Sequence, residues 1–96
     1  MSYSAFGLVE VQGSANAVIV TDQLLKTAEV SYVTQDTKCG GNVLVFVTGS
    51  VSAVTAAVER AREATDCKII NSAVISNPSQ EMIGIVEEFK ARRAPK

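Results

Sequence analysis

Residues 30–49, "VSYVTQDTKCGGNVLVFVTG", decide how this chain is built. The first seven, "VSYVTQD", alternate weakly between apolar and polar and read as a strand. The last eight, "NVLVFVTG", are β-branched and nearly continuous. That is the pattern of a strand buried on both faces or held at a tight interface. Between them "TKCGG" reads as a turn, since adjacent glycines accept positive φ without steric penalty. Two strands therefore follow one another in the middle of the chain with no helix between them.

Moving outward, strands and helices alternate on both sides of this pair. Upstream, "SAFGLVEVQG" (4–13) places Phe6, Leu8 with Val9, and Val11 in a strand that stops at Gly13. "SANAVIVTDQLLKTAE" (14–29) opens with Ser14, an acceptable helix N-cap. Its apolar stripe is Ala15, Val18, Ile19, Leu25 and Ala28, widened by Ala17, Val20 and Leu24. Downstream, Ser50 or Ser52 caps "VSAVTAAVERAREAT" (51–65), whose stripe is Val51, Val54, Ala57, Val58 and Ala61. Those side chains are small, so this helix can lie close to a sheet. "CKIINSAVIS" (67–76) is a fourth strand, and "NPSQ" ends it. The last helix, "SQEMIGIVEEFKARR" (79–93), offers Met82, Ile83, Ile85, Val86 and Phe89, with Gly84 weakening it.

The order β-α-β-β-α-β-α contains the split βαβ pattern of ferredoxin-like folds. It predicts an α+β domain with a four-stranded antiparallel sheet and two helices on one face. The other face needs covering, by the C-terminal helix or by another subunit. The expectation is one domain over 1–96, with a core at about 4–90 and a tail at 91–96.

Composition narrows the function. Of 96 residues, 47% are apolar, and mean hydropathy is +0.20. A chain this short buries only about two thirds of its unfolded surface. Apolar excess on that scale points to surface covered by a partner or to a core of small side chains. The net charge of −1 offers no basic excess for a phosphate backbone, which argues against nucleic acid. "KARRAPK" (90–96) reads as a solvated helix end whose cations suit the helix dipole. No apolar run approaches the roughly 20 residues that span a bilayer, so no membrane role is expected. The start of the chain lacks a signal-peptide pattern, and the expected location is the cytosol. There Cys39 and Cys67 would be reduced thiols rather than a disulfide.

The chain has no histidine. That removes the commonest general base, the Ser/His and Cys/His nucleophile pairs and most zinc sites. Glu10, Asp22 and Asp36 are scattered and read as solvated charges rather than an acid–base pair. The expectation is not an enzyme.

Several motifs in register resemble the bacterial microcompartment (BMC) shell domain, a permuted ferredoxin-like unit. "AFGLVEVQG" is similar to that family's opening strand, A-[LI]-G-[ML]-[VI]-E-x-x-G. "DQLLKTAEV" is similar to the end of its first helix. "KCGGNVLVFVTGSVSAVTAAVERA" is similar to its pore loop, third strand and second helix. The likeness runs from Ala5 to about Phe89 without gaps. It implies a cyclic homohexamer that tiles with neighbouring shell proteins around encapsulated enzymes, in the shell of a cytoplasmic organelle. It also implies a central pore lined by Lys38, Cys39, Gly40 and Gly41, and a hexamer edge carrying Lys26 and Ser79. Lys26 has a plainer reading as a cation at a helix C-terminus.

Two departures stand out. The usual small pore loop is here Cys39-Gly40-Gly41, and the usual P-R-P-H is "NPSQ", so Ser79 stands near an arginine that relatives use at the edge. Six copies would turn one thiol per chain into a ring of thiols. Soft thiolates are the ligands of iron–sulfur clusters. The resemblance extends to divergent shell proteins of glycyl-radical propanediol compartments, in which pore cysteines hold a cluster. Cys39 thus either contributes to a 4Fe-4S cluster shared by several subunits, for electron transfer or as a plug, or lines a pore for small polar metabolites. Lys38 either lowers the Cys39 thiol pKa or is an ordinary exposed lysine. Cys67 reads as structural. The alternative is a small oligomeric ferredoxin-like ligand-binding or regulatory protein, which calls for a long ligand loop or converging polar residues.

Overall fold

The computed structural model describes residues 3–27, 29–37, 40–63 and 68–93. In chain order the elements are β1 (Ala5–Gln12), α1 (Ser14–Thr27), β2 (Val30–Thr37), β3 (Asn42–Gly49), α2 (Val51–Glu63), β4 (Ile69–Ser76) and α3 (Gln80–Arg93). The strands form one antiparallel sheet in the order β2-β3-β1-β4. The α+β expectation of a four-stranded antiparallel sheet is met.

Alternation along the two central strands sorts their side chains between the faces. Ala5, Val9 and Val11 of β1 and Val43, Val45 and Val47 of β3 face α1 and α2. They meet Ala17, Val20 and Leu24 from α1, and Val54, Ala57, Val58 and Ala61 from α2. Phe6 and Phe46 point the other way, where α3 covers them with Ile83 and Val86. Both faces of β1 and β3 are therefore buried, as the continuous run at 42–49 foretold.

Small side chains set the closeness of α2. A methyl group built on Gly7 would stand 2.8 Å from Val54 Cγ1, 3.0 Å from Val58 Cγ2 and 3.1 Å from Val47 Cγ2. Hence the glycine three residues into β1 makes room for the helix.

Caps fix the helix starts. Ser50 Oγ accepts from the Ala53 N–H at 3.1 Å, and Ser79 Oγ accepts from the Met82 N–H at 3.2 Å. At α1 the cap is one residue earlier than Ser14. The Gly13 carbonyl accepts from the Ala17 N–H at 3.1 Å, and Gly13 takes φ 87°. Positive φ is open to glycine and disfavoured for serine, which is why the boundary falls there.

The α1 stripe is corrected. The residues that bury against the sheet are Ala17, Val20 and Leu24, while Val18 is 70% and Leu25 41% exposed. An apolar residue on almost every face of α1 leaves the pattern without a unique solution. The closer-packing set, which includes an alanine, takes the sheet. Val51 of α2 and Ile85 of α3 are likewise exposed members of their stripes.

Gly84 lies inside α3 with nothing within 4 Å of the position a Cβ would occupy. Gly84→Ala is expected to stabilise the protein by about 0.5–1 kcal/mol, since alanine loses less backbone entropy in a helix. A higher denaturant midpoint with unchanged slope is the result to look for.

Candidate functional site

Topology gives the molecule two ends made of different loops. At one end lie the β2–β3 loop, the turn at Gly13 and the start of β4. At the other lie the end of α1, Gly49, the end of β4 and the start of α3. Eight-residue strands put about 25 Å between them.

The loop end carries the residues singled out for a pore. Lys38 and Cys39 lie outside the described residues, as does Cys67. Gly40 and Gly41 have φ of 93° and 91°, which an L side chain rarely adopts. Nothing approaches within 4 Å of a Cβ at either one. The Gly41 end of the loop is anchored, because the Gly41 carbonyl accepts from the Gly13 N–H at 2.9 Å. Gly41 and Gly13, both at positive φ, thus tie the start of β3 to the end of the central strand β1.

Beside this loop, Asn42 Nδ2 donates to Glu10 Oε2 at 3.1 Å, and Glu10 is largely buried. Glu10 and Asn71 are register partners across β1 and β4, and Asp36 and Leu44 across β2 and β3. Glu10 is therefore part of the sheet's own hydrogen bonding rather than a plain solvated charge. Among the described residues, no three His, Cys, Asp or Glu side chains gather as a metal site.

Lys26 and Ser79, the two residues assigned to an edge, both stand at the opposite end. Lys26 is exposed and its Nζ lies 2.9 Å from Asp22 Oδ2, one helical turn back. An exposed pair of that kind contributes little to stability. Ser79 is the α3 cap described above, a role that its short hydroxyl performs and an arginine could not.

The sides between the two ends are apolar, which the strand and helix patterns did not reveal. Along the β2 side, Val18, Thr21, Asp22, Leu25, Tyr32 and Gln35 line an open groove of about 360 Å³. Tyr32 is 43% exposed. Along the β4 side, Ile70 is 46% and Val74 37% exposed. Uncharged "IINSAVIS" is an edge strand with free backbone hydrogen-bonding groups along its outer side. The signal was present in composition: a core of alanines and valines does not account for all the leucine, isoleucine and tyrosine in the chain.

Comparison with known proteins identifies the family. Residues 5–78 match the BMC domain. The chain is 32% identical over 81 residues to the carboxysome shell protein CsoS1A of Hydrogenovibrio crunogenus, covering 81% of this chain and 84% of that protein. It is 30% identical over 92 residues to the probable carboxysome shell protein CsoS1E of Prochlorococcus marinus, covering 93% of this chain and 45% of that one. Among solved structures, a microcompartment protein from Desulfitobacterium hafniense superimposes with a TM-score of 0.75 at 24% identity, over 90% of this chain and 48% of that one. The chain thus spans about half the length of the last two.

Proposed function

The chain belongs to the BMC domain family, and from that premise we propose that it is a structural shell protein forming a cyclic homohexamer around a central pore. The observation that carries this reading is the pair of exposed apolar sides, Val18, Leu25 and Tyr32 on one and Ile70 and Val74 on the other. They flank opposite edges of one sheet. A body with different sticky surfaces on its two sides associates head to tail, and such contacts close into a ring when the rotation permits. The loop end then forms the inner tip of each subunit, and Lys26 and Ser79 stand at the perimeter, where rings tile with neighbouring shell proteins. Its place is the shell of a microcompartment with encapsulated enzymes, and its role is structural rather than catalytic.

In that ring, Lys38, Cys39, Gly40 and Gly41 of each copy line the opening. An iron–sulfur cube takes up to four thiolates. One chain brings one thiol to this loop, so a fit requires several copies sharing the group. Within one chain nothing approaches within 4 Å of a Cβ at Gly40 or Gly41. Cys39 from several subunits would hold the cluster, and the glycines would let backbone approach it. When bound, a 4Fe-4S cluster supplies one-electron transfer across the shell or plugs the hole. Assignment to a glycyl-radical propanediol compartment rests on this cysteine; the relatives named above are carboxysome shell proteins.

Light scattering is expected to give about six times the 10.1 kDa of one chain; a monomer at micromolar concentration overturns the ring. Anaerobically purified protein is expected to absorb in the sulfur-to-iron charge-transfer region and to contain iron and sulfide, and Cys39→Ser to lose both. If both proteins form rings yet are colourless and iron-free, the cluster is excluded. A pore for small polar metabolites then remains.

A further inference from the structure

We propose that α3 is a strap that opens from the sheet as a unit, with the Tyr3–Glu87 hydrogen bond as its clasp. The contrast in burial motivates this. Thirteen buried residues hold α1, α2 and the sheet together, whereas among the residues of α3 whose burial is described only Ile83 and Val86 are buried. Met82 and Phe89 add half-buried contacts. Local opening is drawn from elements with few buried apolar contacts.

The chain also changes character where the strap begins. The Asn77 N–H donates to the Ser4 carbonyl at 2.9 Å, and Pro78 is buried. Asn77 takes φ 49°, the one positive φ among the described non-glycine residues. Beyond this pinned corner, none of the described backbone hydrogen bonds joins α3 to the sheet. Among the described residues, side chains hold it to the sheet: Phe89 against Phe46 at 5.7 Å between ring centroids, and the Ile83 and Val86 contacts, while Arg92 over Phe89 at 4.7 Å is a contact within α3 itself.

Tyr3 supplies the one described polar tie from outside the helix. Its hydroxyl donates to Glu87 Oε2 at 2.5 Å, and its ring lies 4.6 Å from that of Phe6. Burial, then the bond to Glu87 and its charge, push the Tyr3 pKa up to about 12, so the donor keeps its proton at neutral pH. The segment ahead of β1 therefore governs how often the C-terminal helix leaves the sheet and uncovers Phe6 and Phe46.

Hydrogen exchange followed by mass spectrometry on the assembled protein tests this. Amides of α3 should exchange at least tenfold faster than those of β1 and β3. Tyr3→Phe should speed α3 a further threefold or more and leave β1 and β3 unchanged. Glu87→Ala should do the same while also removing the Lys90 pair at 3.7 Å, and the double variant should do little more than Glu87→Ala alone, since the bond to Tyr3 is already lost there. Gly84→Ala should slow α3. Equal protection in α3 and β3 overturns the strap. A Tyr3→Phe effect spread evenly over the sheet, or full additivity of the two clasp variants, overturns the clasp.

Discussion

Gly7→Ala is expected to destabilise the protein by about 2 kcal/mol, the range of one extra methyl forced into a packed core. For a chain of this size that lowers the midpoint of thermal unfolding by about 10 °C at fixed protein concentration. The added carbon would meet three β-branched methyl groups at 2.8 to 3.1 Å. None is the end of a flexible side chain, so α2 must shift outward or β1 must bend. Gly84→Ala makes the same chemical change with the opposite sign, because its Cβ enters open space. The pair isolates packing from glycine's entropy: backbone entropy alone favours alanine at both sites, since Gly84 is helical and Gly7 is in a strand without positive φ, so the opposite sign at Gly7 is the effect of packing. Unaltered unfolding of Gly7→Ala would mean that α2 stands farther from the sheet than described here.

How much of this was legible beforehand depends on which physical signal each feature leaves in sequence. The element order was legible, because the Gly40-Gly41 turn and the continuous 42–49 strand are local features. Element boundaries came within a few residues for the same reason. The inward face of α1 was not, since Val18, Ile19 and Leu25 compete with Ala17, Val20 and Leu24 and are by hydropathy the stronger set, although the second set is the buried one. Only the packing distance to β1 and β3 decides between them, and that distance is set by residues far away in sequence. The sides of the molecule were half legible. Apolar excess signalled that something must be covered, but edge position is a property of sheet order, so Ile70 and Val74 of β4 read as ordinary strand residues. Ser79 shows a different limit. Likeness to relatives marks the place of a missing arginine, whereas the hydroxyl-to-amide bond that the serine makes in its stead appears only in three dimensions. Cys39 and its neighbour Lys38 lie outside the described residues, and the loop's anchoring through Gly13 and Gly41 is what the structure adds there.

Charge placed on either apolar side is expected to reduce the assembly to monomers, and the way the two lesions combine tests how the ring closes. Tyr32→Asp marks the β2 side and Val74→Asp the β4 side. Both positions are more than a third exposed in the isolated chain, so each variant should fold. In the ring each would bury a carboxylate without a partner, on the order of 3 kcal/mol or more per contact. That weakens each contact at least about a hundredfold. Mixing the two variants is the decisive step. A Tyr32→Asp chain keeps a sound β4 side, and a Val74→Asp chain keeps a sound β2 side. One good contact can therefore form between them, after which both outward sides are spoiled. The mixture should yield a one-to-one dimer and nothing larger by light scattering. A symmetric contact that uses one patch twice behaves otherwise: one of the two variants would still assemble like wild type, and mixing would gain nothing. That second outcome excludes head-to-tail association, and with it the placing of six Cys39 loops around one axis.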